Sequence, residues 1–289
     1  MKSICIKTNN SEFLEYLLNE FKLLELNDIC FSSNEFKNFK NVIIHYNGNS
    51  EETFITEISS ILALLVIDEF EEALLKDFIF DNYFYFNYEE QKKILSICYD
   101  ISTDDFSVSF DKKYSYLVDS FYNYLLTHKS IVLSGFVNFR LPEYHKMLQN
   151  LVDEAVNVYV LEKEYLEFIS LLKLYISTQN SEVDLVHLIF FEDNCVILDE
   201  NKEIIPVCDD LLKTKYLSDI SFSTNDYILN TLLNLLPNKI YIHIPENYID
   251  DFINTLVLIF EKRVKICHEC NICKLYQNSS TSTVSKKLR

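Results

Sequence analysis

The sequence predicts an α+β protein: an N-terminal β-α-β-β-α unit, a central helical region holding one long helix, and a C-terminal ββαβα unit that ends in a cysteine-rich segment. Three observations carry this expectation. Apolar alternation is confined to short runs near the two ends; between 78 and 180 the apolar period lengthens to that of a helix; and after Pro142 that period runs on for about ten turns. The matching boundaries are 1–77, 78–180 and 181–276, followed by a tail over 277–289 whose Asn, Ser and Thr content is too polar to order itself.

Residues 2–7 alternate as a strand, and Ser11 is placed to cap a helix over 12–26 whose Phe13, Leu14, Leu17, Leu18, Phe21 and Leu24 share one face. Strands over 29–32 and 41–46 follow, closed by the turn Asn47-Gly48-Asn49-Ser50. A second helix over 51–77 turns Phe54, Ile58, Ile61, Leu62, Leu65 and Val66 inward. Helices over 88–99 and 114–127 come next, separated by 100–111. The run Tyr83-Phe84-Tyr85-Phe86 has no flanking Lys or Arg, which favours core packing over stacking on nucleic-acid bases. Gly135 reads as a point where the chain turns or nears another backbone, and 136–140 as an extended lead-in to the long helix.

That helix has a marked start. Pro142 has no amide hydrogen to leave unpaired in a first turn, and Glu143 sets negative charge at the positive end of the dipole. Tyr144, Leu148, Leu151, Ala155, Tyr159, Leu166, Ile169, Leu172 and Ile176 then recur at helical spacing, with a gap at Glu162. Beyond a polar linker over 177–181, strands over 184–191 and 195–198 flank a turn, with an edge extension at 204–207. A helix over 227–236 capped by Ser223 or Thr224, a strand over 239–244 and a last helix over 248–264 complete the unit. His243 falls out of phase with Ile240, Ile242 and Ile244 and reads as a surface histidine.

Composition bounds the function. The chain of 289 residues, 48% hydrophobic and 24% charged, suits a globular protein of two or three domains. The skew toward Ile, Asn, Lys, Tyr and Phe matches what the codons of an A/T-rich genome favour and is background to function. A net charge of −18 disfavours binding to phosphate backbones or anionic lipid over most of the surface. From Glu261 onward seven cations face two anions, so this end carries +5 and the remainder −23; nucleic acid is expected as a partner only through that basic end. The N-terminus alternates instead of running apolar. The longest apolar run, 58–67, falls far short of a membrane span, which needs roughly 20 residues. A cytoplasmic location is expected, with the eight cysteines as reduced thiols or metal ligands and not a disulfide framework. With two glycines and no phosphate loop, G-x-S-x-G or H-E-x-x-H pattern, no catalytic residue is assigned and a non-enzymatic role is expected.

The run Gly135-Phe136-Val137-Asn138-Phe139-Arg140-Leu141-x-x-Tyr144, with Val152-Asp153-x-Ala155-Val156 and Glu162-Lys163-Glu164-Tyr165-x-Glu167-Phe168, resembles the YtxC-like sporulation proteins of spore-forming Firmicutes. The resemblance covers the chain from about 114 onward, including the helical cysteine-rich end, and more loosely the first hundred residues. It implies a sporulation setting and brings no catalytic residues with it. An interaction or scaffold protein with a protein partner is the reading that results.

Two constellations carry chemistry. Arg140, with Glu162 and Glu164, is a candidate polar site: a structural ion pair is the simpler account, with an anion site or an unfamiliar active centre as the alternatives. Cys267-His268-Glu269-Cys270-Asn271-Ile272-Cys273 is the stronger signal, because C-x-x-C brings two thiolates to one ion and the repeated spacing offers a third. Lys262, Arg263 and Lys265 would favour the thiolate forms. Zinc is the favoured occupant, with metal-free thiols and then an iron–sulfur cluster as alternatives. His268, beside Cys267, is badly placed as a fourth zinc ligand, and in the iron–sulfur alternative Cys195 or Cys208 could complete the site. A metal-stabilised module binding nucleic acid or an anion through this end is the second functional reading.

Overall fold

The computed structural model describes residues 2–24, 28–36, 39–104, 106–181, 183–191, 194–206, 223–244 and 250–277. The polar tail from 278 on and Cys208 lie outside the described residues. The chain divides into two compact units, Met1–Glu162 and Lys163–Arg289. No helix among the described residues is long and apolar enough to cross a membrane.

The first unit opens with the expected β-α-β-β-α order: β1 (Lys2–Thr8), α1 (Ser11–Leu23), β2 (Ile29–Phe36), β3 (Phe39–Tyr46) and α2 (Glu51–Leu65). Asn10, not Ser11, caps α1, its side chain accepting from the Glu12 amide at 2.8 Å. Asn and Ser cap about equally well, so propensity alone could not choose between them. The sheet order is β2-β3-β1-β4, in which β4 (Ser130–Val132) returns from the helical region to pair parallel with β1. α2 buries one broad face, through Phe54, Ile55, Ile58, Ile61, Leu62 and Leu65, in the core of the unit. The Tyr46 ring stacks on Phe54 at 4.9 Å and crosses the space a side chain at Gly48 would fill.

The helix expected over 51–77 is interrupted. α2 passes through one π turn, Val66–Phe70, into α3 (Glu71–Asn82). The extra residue of a π turn shifts the helical phase. Here the shift delivers Glu71 to two inward-facing partners: Lys113 Nζ donates to its Oε1 at 2.6 Å and the Tyr144 hydroxyl to its Oε2 at 2.7 Å. Lys113 and Tyr144 are both buried. α4 (Tyr88–Asp104) and α5 (Phe106–Thr127) are both longer than expected and take up most of 100–111.

The segment expected to be extended before Pro142 is instead a helix, α6 (Leu133–Arg140). Phe136 and Val137 are adjacent and both buried, with Leu133 and Leu141 on the same side; only a helical spacing allows this. Gly135 lies inside α6, and a Cβ there would meet nothing nearer than 4.0 Å, so it serves neither a turn nor a close approach.

α7 (Pro142–Thr178) is the continuous long helix the sequence predicts. Tyr144, Leu148, Val152, Ala155 and Tyr159 are buried in the first unit, and Ile169 and Ile176 in the second. Leu166 departs from the expected stripe and is 47% exposed, with Leu161, Leu171 and Leu174 more exposed still. The second unit continues with β5 (Leu185–Phe191), β6 (Asn194–Leu198), β7 (Ile204–Ile205), α8 (Thr224–Leu235), β8 (Lys239–His243) and α9 (Asp251–Phe260). Ser223 and Asp226 form a capping box on α8, as its sequence suggests. The last helix ends earlier than expected: after a 3-10 turn at Glu261–Arg263 the chain forms β9 (Val264–Cys267), then α10 (Asn271–Gln277). The sheet order is β7-β6-β5-β8-β9, with β5, β8 and β9 mutually parallel and β6 and β7 antiparallel.

Candidate metal centre

Sheet alternation sets the site. On β8, Ile240 and Ile242 face the main apolar core with Val186, Leu188 and Phe190 of β5, while Tyr241 and His243 project from the other face. On β9 the parallel register pairs His243 with Cys267, so the imidazole and the first thiol emerge side by side where two parallel strands end. The carboxyl ends of parallel strands are a common place for ligands, since chain leaving the sheet there can close over them.

The closing chain is the bend at His268 and Glu269 and the short helix α10. Ile272 seats that helix on Ile189 and Leu198 across the same face of the sheet. The Lys274 amide donates to the Cys270 carbonyl at 3.0 Å, so Cys270 and Cys273 are held one turn apart on the side facing His243. His243 Nδ1 lies 3.3 Å from both Cys270 Sγ and Cys273 Sγ; Cys273 Sγ lies 3.7 Å from Cys270 Sγ and 3.8 Å from Cys267 Sγ. All four donor atoms fall within 4.8 Å of one another. With Zn–S of about 2.3 Å and Zn–N of about 2.05 Å, a tetrahedral ion requires S···S edges of about 3.8 Å and S···N edges of about 3.6 Å. These four edges match that tetrahedron to within a few tenths of an ångström.

The electrostatics suit a cation. Burial lowers the His243 pKa to about 4, with His187 beside it adding to the effect, so the imidazole is neutral as a ligand must be. Burial opposes the Cys270 thiolate, but the Cys273 and Ile272 amides and the neighbouring thiols outweigh it and hold the pKa below the ordinary thiol value. Cys273 is pushed up to about 12, by burial first and then by the competing Cys270 and Cys267. Three sulfurs gathered in this space cannot all ionise alone; a divalent cation removes the conflict.

The three expected cysteines are therefore brought together, and the fourth donor is His243, which the sequence alone places on the surface. It is 3% exposed. Its phase against the isoleucines holds, but the opposite face of the sheet is covered by α10. Cys195 is excluded by the same alternation: it lies on β6 with Ile197, facing the main core, where burial raises its pKa to about 12. His268 stays outside the donor group.

Arg140, Glu162 and Glu164 are not gathered into a site. Arg140 is exposed, its guanidinium 5.4 Å from the centre of the Tyr124 ring. Glu162 pairs with Lys93 at 2.9 Å, both half exposed. Glu162 stands far along α7 from the Arg140 end, since the rise from Pro142 is about 30 Å at 1.5 Å per residue. Glu164 lies exposed on another side of the same helix. Near the metal centre, Arg263 donates to the Pro237 carbonyl at 3.1 Å, which ties the start of β9 back to the chain before β8.

A model of the YtxC-like family matches residues 56–265. The match includes His243 and ends two residues before Cys267. The chain is also similar to the uncharacterized protein YtxC of Bacillus subtilis (strain 168), at 23% identity over 206 residues, or 68% of this chain and 71% of that protein. No solved structure matches.

Proposed function

This chain belongs to the YtxC-like family, and on that premise we propose that it is a non-enzymatic interaction protein of the sporulating cell whose C-terminal unit is closed by a structural zinc ion. The observation that carries the zinc reading is the closed donor set. Three thiols and one imidazole within 4.8 Å of one another supply the four donors that a structural zinc takes, whereas a catalytic zinc keeps one position for water or substrate. The compactness of the set also favours one ion over an iron–sulfur cluster, in which the thiolates bind different irons and spread further apart. Soft thiolate donors in tetrahedral array select zinc over magnesium, calcium or manganese. The scaffold role and the sporulation setting rest on the family resemblance.

Elemental analysis of the full chain, purified without chelators, tests the reading. One zinc per chain is the expected result. A fully folded chain with no metal, or one with several irons and acid-labile sulfide, would overturn it. Cross-linking in sporulating cells addresses the partner: a specific partner recovered with the wild type supports a scaffold, and none recovered refutes it.

A further inference from the structure

β5 reads Leu185-Val186-His187-Leu188-Ile189-Phe190-Phe191, and His187 is the one polar residue in it. Placing an imidazole in an apolar strand is unfavourable unless a partner takes up its polar atoms. The parallel register sets His187 opposite Tyr241 and Ile189 opposite His243, so His187 and His243 share one face of the sheet. His187 Nδ1 lies 2.9 Å from His243 Nε2, with ring centroids 5.1 Å apart. The Tyr241 ring stacks beside both, at 5.7 Å from His187 and 6.5 Å from His243. The other nitrogen of His243, Nδ1, is the one that faces Cys270 and Cys273.

Resting on the zinc reading above, we propose that His187 is the positioning residue of this centre: it accepts a hydrogen bond from His243 Nε2–H and so presents Nδ1 of His243 to the metal. The tautomers follow from the geometry. A metal ion takes the Nδ1 lone pair, so the His243 proton must sit on Nε2. His187 can then receive it only through an unprotonated Nδ1, which places the His187 proton on its own Nε2. Ligand histidines usually direct their second nitrogen at a carboxylate, carbonyl or water, and loss of that partner weakens metal binding about 10–100-fold. Here a second imidazole, anchored on the neighbouring strand and flanked by Tyr241, takes that place. His187 thereby ties the centre to β5, a strand that supplies no ligand.

The test uses the full chain loaded with Zn²⁺ or Co²⁺ and titrated against a chromogenic chelator. His187→Leu, which cannot accept, is expected to weaken binding about 10–100-fold, while His187→Gln, whose amide oxygen can accept, recovers most of the loss. In ¹⁵N NMR of the zinc-loaded wild type, both rings are expected to carry their proton on Nε2. Unchanged affinity in His187→Leu, equal losses in the two variants, or a His187 proton on Nδ1 would each overturn the assignment. A wild type that binds no metal at all would instead remove the centre on which it rests, so the two failures are distinguishable.

Discussion

Stripping the metal should unlock α10 while leaving the first unit intact. The short run Asn271–Gln277 cannot form a helix alone, since isolated helices shorter than about 12 residues are marginal in water. Fixing its backbone costs about 1–2 kcal/mol per residue, so about 7–14 kcal/mol in all. Against this, burying Ile272 on Ile189 and Leu198 contributes about 1.5–3 kcal/mol, and a few helical hydrogen bonds add about 1 kcal/mol each. The remainder must come from the ion, and structural zinc in small domains supplies about 10–16 kcal/mol, enough to cover it. Hydrogen exchange followed by mass spectrometry on the full chain, before and after zinc removal under reducing conditions, reads the effect. Peptides over 268–277 should change from slow to near-unprotected exchange, and those over 51–65 should not change. Cys273→Ser should reproduce the stripped pattern without a chelator. If 268–277 stays protected in a chain shown by elemental analysis to hold no metal, the ion is not what orders this end.

Zinc affinity should fall steeply on acidification, because Cys273 and its neighbours must give up protons to bind; a release of about two to three protons makes log K drop by about two to three per pH unit, as competition titrations between pH 6 and 8 can show. His243 contributes little to that slope, since its pKa, lowered to about 4, leaves it already neutral in that range. Lys113→Met should destabilise the first unit by about 3–5 kcal/mol in urea unfolding, because it leaves the Glu71 carboxylate buried beside Tyr144 without its cation; adding Glu71→Gln should recover most of the loss. The two glycines should respond in opposite directions: Gly135→Ala should stabilise by up to about 1 kcal/mol in helix α6, and Gly48→Ala should destabilise by about 1–3 kcal/mol by displacing the Tyr46 ring.

Periodicity disclosed the large elements because each buries one face. The run from Tyr144 to Tyr159 and the alternation of Ile240 and Ile242 leave no choice of helix or strand, and both stand as expected. Short segments decided by tertiary partners are where periodicity fails. The pair Phe136-Val137 looks like part of an alternating strand until both prove buried, and 261–264 looks like the end of a helix until β8 pairs with β9 from Val264 on. The π turn at Val66–Phe70 carries no sequence mark of its own; its reason is Glu71, whose carboxylate finds Lys113 far along the chain in α5.

The metal centre divides the same way. C-x-x-C-x-x-C is a local pattern, so three of four donors are legible from spacing alone. The fourth is legible only in half. Alternation places His243 away from the isoleucine core, and on an open sheet that means solvent; it means a metal ligand only if something covers the opposite face. α10 is what covers it, and α10 is itself too short to form a helix in isolation. Neither the histidine nor the helix can therefore be assigned from its own neighbours in sequence, because each takes its place from the other across the sheet face. The same dependence makes His187 informative: a polar residue in the middle of LVHLIFF has no local explanation, and it acquires one only once His243 is read as a ligand with one nitrogen still to satisfy.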